Sequence, residues 1–124
     1  MRMNEGLRKM LAGVLSTGVL LALLSVAMPA RASEFDYDCV PVEVAVFSSR
    51  VHMRCQTPVA FYIWFFALPT SDPQADRLLS LASTAMAIPG AKVSVHFEGT
   101  DTSGTSYGCG SSDCRKPMRF FLHK

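Results

Sequence analysis

The chain lacks the short motifs by which catalysis usually shows itself. The one G-x-S-x-G spacing, Gly104-Thr105-Ser106-Tyr107-Gly108, falls inside a polar loop and not at a strand-to-helix elbow, no H-E-x-x-H pair is present, and no glycine-rich phosphate loop follows a strand. No C-x2-C pair exists, so the four cysteines match structural zinc spacing poorly, even with His52, His96 or His123 added. Internal repeats and low-complexity linkers are absent too, which leaves one domain and no hinge between domains. No convergent acid, base and nucleophile can be assembled. The expectation is a protein that is not an enzyme and carries neither cofactor nor metal.

Charge excess is also missing once the first residues are set aside. Arg2, Arg8 and Lys9 precede an apolar run from Met10 to Ala27, Pro29 breaks it, and Ala30-Arg31-Ala32 makes an A-x-A processing site. That is the layout of a secretory signal peptide over residues 1–32, leaving a mature domain over residues 33–124. The alternative, a retained anchor, fits less well, because the run is near the lower limit of a membrane span. Four of the twelve Lys and Arg residues and one of the ten acids lie in that leader, leaving eight basic and nine acidic side chains. A near-neutral domain lacks the basic footprint of a nucleic-acid binder and the charge to cling to an anionic membrane. The expected location is periplasmic or extracellular, with no stable membrane insertion after cleavage.

What the exported part does contain is all four cysteines. An even number in a small exported domain reads as a disulfide framework with three pairings open. The two local closures, Cys39–Cys55 and Cys109–Cys114, are expected, contributing about 3 and about 2 kcal/mol by chain entropy.

Hydropathy sets out the elements. Val42, Val44 and Val46 alternate with polar or small residues, and Val51, Met53 and Cys55 with His52 and Arg54; a turn around Phe47–Ser49 would join two strands. Residues 60–68, AFYIWFFAL, do not alternate and predict a strand buried on both faces. One of those faces needs cover from the helix, a second subunit or a ligand, which makes a homo-oligomer the expectation. Ser71-Asp72-Pro73-Gln74 offers a capping box, and Ala75, Leu78, Leu79, Ala82, Ala85 and Met86 fall on one helix face before Pro89-Gly90. Val93, Val95 and Phe97 predict a fourth strand, residues 99–113 a long polar loop, and Arg119–His123 a closing strand. The acids Asp36, Asp38 and Glu43 read as a solvated N-terminal arm. The fold class expected is mainly β with one helix: a five-stranded OB-like barrel, β-β-β-α-β-β, stapled by disulfides.

Two regions are candidates for recognition. Tyr62, Trp64 and Phe66 could stack on sugars or meet a protein, although burial against the helix face of Leu78, Leu79 and Ala82 is the more ordinary role of such residues. Ser48, Ser49 and Arg50 at the first turn, with Thr100, Asp101, Thr102, Ser103 and Tyr107 in the polar loop, would gather at one end of a barrel as ligand contacts. Solvated turns are the ordinary role of such loops.

Residues 78–114 combine a helix, a short turn, the strand V-S-V-H-F (Val93–Phe97) and a serine-rich loop. The loop leads into Cys109-Gly110-Ser111-Ser112-Asp113-Cys114. This layout resembles the second half of the B subunit of subtilase-type AB toxins. The resemblance implies an OB fold, a secreted ring of subunits, binding of cell-surface glycans without catalysis, and a separate catalytic subunit. It covers no sugar-contacting residue that can be carried over. The functional expectation is an exported binding module for a glycan; the alternative is an envelope protein–protein interaction or inhibitor domain.

Overall fold

The alternation around Val44 becomes strand β2 (Pro41–Val46), hairpinned to β3 (Arg50–Val59) through the expected turn, in the computed structural model, which describes residues 33–124. The leader expected over residues 1–32 lies outside the described residues. Only Val44 of the three valines packs on the core; Val42 and Val46 are exposed, because β2 is an edge of its sheet. Strand β4 (Ile63–Pro69) pairs antiparallel with β3, and the short β6 (Cys114–Arg115) pairs parallel with β4. These four make one sheet in the order β2-β3-β4-β6.

A second, three-stranded sheet has the order β1-β5-β7, all antiparallel: β1 (Glu34–Cys39), β5 (Lys92–Glu98) and β7 (Pro117–His123). Helix α1 (Ala75–Ala87) joins β4 to β5 and buries Ala75, Leu78, Ala82 and Ala85. The fold is therefore mainly β with one helix and two disulfides, Cys39–Cys55 and Cys109–Cys114, both as paired from the sequence. The hydrogen-bonded ladders form two open sheets with seven strands among the described residues, where a single closed five-stranded barrel is expected from the sequence.

Three local differences have physical causes. Strand β1 was expected as a solvated arm, yet its outward acids meet bases contributed by distant strands. His96 lies 3.0 Å from Asp36 and 3.2 Å from Glu34, and His123 lies 2.9 Å from Asp38. The alternate residues of β1 turn the other way, with Phe35 packed against the core and Cys39 inside it. Residues 60–62 form a 3-10 turn instead of strand, with Tyr62 at φ 66°. At the helix start, Asp72, not Ser71, supplies the acceptor: its carboxylate takes the Gln74 N–H at 2.9 Å. Met86, expected on the packed face, is exposed near the helix end.

The Asp38 pair carries a pH prediction. The hydrogen bond from His123 holds the Asp38 carboxyl below the usual aspartate range, outweighing the opposing effect of burial, with Ser94 and Lys92 helping. A lowered carboxyl contributes stability above the ordinary value of 3.8 and loses it as pH falls through the lowered one. Asp38→Asn should therefore lower Tm at pH 6, with the gap to wild type closing below about pH 4. Thermal melts across pH 2–7 check this; a gap that persists unchanged in acid would exclude the pair as its source.

Candidate binding site

Bulge geometry decides which aromatic rings leave the core. Register along β3–β4 matches Arg54 to Phe65 and Met53 to Phe66, with an irregularity beyond Arg54. The N–H groups of both Trp64 and Phe65 donate to the single carbonyl of Asp113, at 2.8 and 3.0 Å, the signature of two residues opposing one. Phe65 accordingly packs in a small outer cluster with Ala67, Tyr107 and the Cys109–Cys114 disulfide. Trp64 is half-buried, with the Arg54 guanidinium 5.9 Å from its ring. Phe65 and Ala67 are thus covered by the chain's own loop, where the helix, a second subunit or a ligand is expected from the sequence. Phe66 is fully buried and faces Phe97, so it offers no surface to a partner, whereas Tyr62 is 80 % exposed.

The turn between β2 and β3 is tied to the same loop. Thr70 donates from its hydroxyl to the Ser48 carbonyl and from its N–H to the Ser49 carbonyl, both at 3.1 Å. The Ser49 hydroxyl donates to the Tyr107 carbonyl at 3.0 Å. Arg50 lays its guanidinium 4.3 Å from the centre of the Phe47 ring. Gly108 has φ 93°, which favours glycine, and a side chain there would push the end of Arg50 aside.

Between this turn and the disulfide loop lies a cleft of about 270 Å³ lined by Arg50, His52, Phe65, Gly108, Gly110, Asp113 and the Cys109–Cys114 bridge. His52 is only 9 % exposed. Its ring sits 5.0 Å from Phe47 and 5.2 Å from Phe65, and its Nε2 is 3.0 Å from a Glu43 carboxylate oxygen, to which only the imidazole N–H can donate. The cleft thus combines a guanidinium, a carboxylate, an imidazole, a flat ring and bare glycine backbone. Such a set can hydrogen-bond hydroxyls and pack an apolar ring face.

Of the sequence candidates, Arg50 lines this cleft, whereas the turn residues Ser48 and Ser49 are not among its lining and bond to Thr70 and Tyr107. Tyr107 serves the fold: its hydroxyl donates to the Ala67 carbonyl at 3.1 Å. Burial, aided by the negative charges of Asp101 and Asp72, pushes Tyr107 up to about 12, which keeps it a neutral donor. Thr100, Asp101, Thr102 and Ser103 are not brought to the cleft. Thr100 donates to Glu98 at 3.0 Å, and the Asp101 carboxylate accepts the Ser103 N–H at 2.8 Å at the start of the 3-10 turn Ser103–Tyr107. The backbone and hydroxyl of Ser103 hold Asp101 below its ordinary range, against desolvation, with lesser help from Lys116 and Arg115. Residues missed from the sequence are His52, Phe65, Gly108, Gly110 and Asp113. One signal was present: Arg50, His52 and Arg54 alternate along one strand face, a polar stripe beside an aromatic strand.

Among the described residues no group of three or more His, Cys, Asp and Glu is placed to hold a metal ion. No helix among them is long and apolar enough to cross a membrane. Comparison with family models, curated proteins and solved structures finds no match to this chain.

Proposed function

We propose that this chain is an exported, non-enzymatic binding module of OB type whose ligand is a glycan, held in the cleft between β3–β4 and the disulfide loop. The observation that carries the reading is the convergence of Arg50, His52, Phe65 and Asp113 on one 270 Å³ cleft. OB folds take oligosaccharides on the face of their second and third strands, between the loops that follow strands one and four. Single residues separate β1 from β2 (Val40) and β6 from β7 (Lys116), so each pair reads as one bent strand serving both sheets. On that reading the pairings trace the five-stranded circuit, and the cleft falls where that fold binds. Cross-linked cysteines and the A-x-A leader support export. The resemblance of residues 78–114 to toxin B subunits supports a glycan, a ring of identical subunits and a companion catalytic subunit.

A glycan array probed with the oxidised protein tests this. Binding to a defined glycan class is expected, and Arg50→Ala should weaken it by about tenfold or more, the worth of a charged hydrogen bond. Because Arg50 packs on a surface ring, its Tm should stay within a few degrees of wild type. Silence across neutral and acidic glycans would overturn the reading.

The second reading, an envelope protein–protein interaction, is favoured by Tyr62 alone. Its 80 % exposure and left-handed backbone leave a large ring projecting between β3 and β4, a conformation that non-glycine residues adopt rarely. Capture of a stable periplasmic partner that Tyr62→Ala abolishes, with no glycan response, would select it.

A further inference from the structure

Arg115 on β6 is a buried cation that acts on the Asp101 carboxylate at longer range but touches no acid directly. It is 8 % exposed, and it donates only to backbone carbonyls: Nε to Gly99 at 2.6 Å, and Nη1 to Ser111 at 2.8 Å and Cys114 at 2.7 Å. No carboxylate among the described residues stands within ion-pair distance of it. Three of its five N–H groups are thereby used. The two on Nη2 bond to nothing in the described protein, and since no fully buried side-chain nitrogen lacks a partner, that atom is open to solvent. Carbonyl dipoles soften the charge but do not neutralise it.

Arg115 also lines a cavity of about 410 Å³ with Ser33, Phe35, Gly99 and Thr100. This cavity shares no lining residue with the cleft described above. Its apolar wall is the Phe35 ring, which is held in place by Phe97 at 5.9 Å and Tyr37 at 6.3 Å. Gly99 lets the backbone approach that wall: a Cβ there would stand 2.8 Å from the ring's Cε2.

We propose that this cavity is a second binding site, for a small organic carboxylate with an apolar body. A carboxylate supplies a direct countercharge and can accept from the two unused N–H groups on Nη2. Phe35 gives the hydrocarbon part a surface that inorganic anions would not use. A doubly charged phosphate would ask for more donors than one partly spent guanidinium provides. The volume lies within the ordinary range of small-molecule sites. The proposal stands independently of glycan binding at the cleft.

NMR titration of the protein expressed from the full chain, with benzoate as probe, tests it. Saturable shifts at Phe35, Gly99, Thr100 and Arg115 are expected, while acetate and benzyl alcohol bind at least about tenfold more weakly, each lacking one half of the match. Arg115→Lys keeps the charge and loses the two Nη2 donors, so its benzoate affinity should fall; because Arg115 also ties down three carbonyls, a second variant is needed. Thr100→Phe fills the mouth from an exposed position, leaves the Arg115 bonds intact, and should cut benzoate affinity at least about tenfold at unchanged Tm. Four results would each overturn the proposal: no saturable shift up to about 50 mM benzoate, shifts centred on Arg50 and His52, equal binding of acetate or benzyl alcohol, or an unaffected Thr100→Phe variant.

Discussion

Replacing Cys39 and Cys55 together by alanine is expected to cost about 3 kcal/mol and to lower Tm by about 12–24 °C. The two sulfurs lie within the main core, and they join β1 of the three-stranded sheet to β3 of the four-stranded sheet, 16 residues along the chain. Beside the bridge, the Gln56 N–H donates to the Val40 carbonyl at 2.8 Å, the point where the chain passes from one sheet to the other. Removing the bridge frees that crossing in the unfolded chain and leaves a void between the sheets in the folded one. Alanine is the proper replacement, since serine would also bury hydroxyls among apolar neighbours. Cys109 and Cys114 close a loop of only five residues, and their bridge sits on the small outer cluster. Their double alanine variant should lose about 2 kcal/mol or less and weaken the cleft more than the core. Thermal melts of the two variants without reductant check the ranking; equal losses would mean that Cys39–Cys55 does not couple the sheets.

Elements whose cause is local were legible in the sequence. Strands β3 and β5 carry period-two alternation, and α1 carries an apolar stripe, between turn residues that stop them. The two disulfides were legible because both close short loops. What escaped was decided by groups far away in the chain. Residues 34–39, EFDYDC, alternate as well as any strand here, but three acids in a row of six read as solvated until His96, Arg119 and His123 are seen opposite them. The run over residues 60–68 could not show its turn, because Ala60, Phe61 and Tyr62 are as apolar or aromatic as the strand that follows. Nor could it show the bulge at Trp64–Phe65, which depends on the carbonyl of Asp113.

The cleft was half legible for the same reason. The β2–β3 turn and the polar loop were both expected near one ligand, and Arg50 does reach the cleft. Yet the loop bends twice between Gly99 and Cys114, and that separates its hydroxyls from its disulfide end. Thr100 looks toward Arg115, Asp101 and Ser103 close a 3-10 turn, and only Gly108 to Asp113 faces Arg50. Composition marks such a loop as polar; it does not say which of its residues are consumed in holding the loop's own shape.

Phe97→Ala should have the largest effect on stability of any single substitution discussed. Phe97 on β5 is fully buried, and its ring meets Phe66 of β4 edge-on at 5.0 Å and Phe35 of β1 at 5.9 Å. It is therefore the side chain through which the two sheets touch near the middle of the core. Truncation removes the burial of a whole aromatic ring and leaves a cavity that neither sheet can close alone, a loss of about 3–5 kcal/mol. For a domain of this size that is a large part of a total near 5–15 kcal/mol. Phe97→Leu, which keeps most of the volume, should lose much less. The double variant Phe66→Ala/Phe97→Ala should lose less than the sum of the single losses, by about 0.5–1.5 kcal/mol, because the first truncation already forfeits the edge-on contact. Urea melts of the four proteins measure this coupling. Strict additivity would show that the rings pack against their own sheets alone, and that the contact between sheets rests on the Cys39–Cys55 bridge and the helix instead.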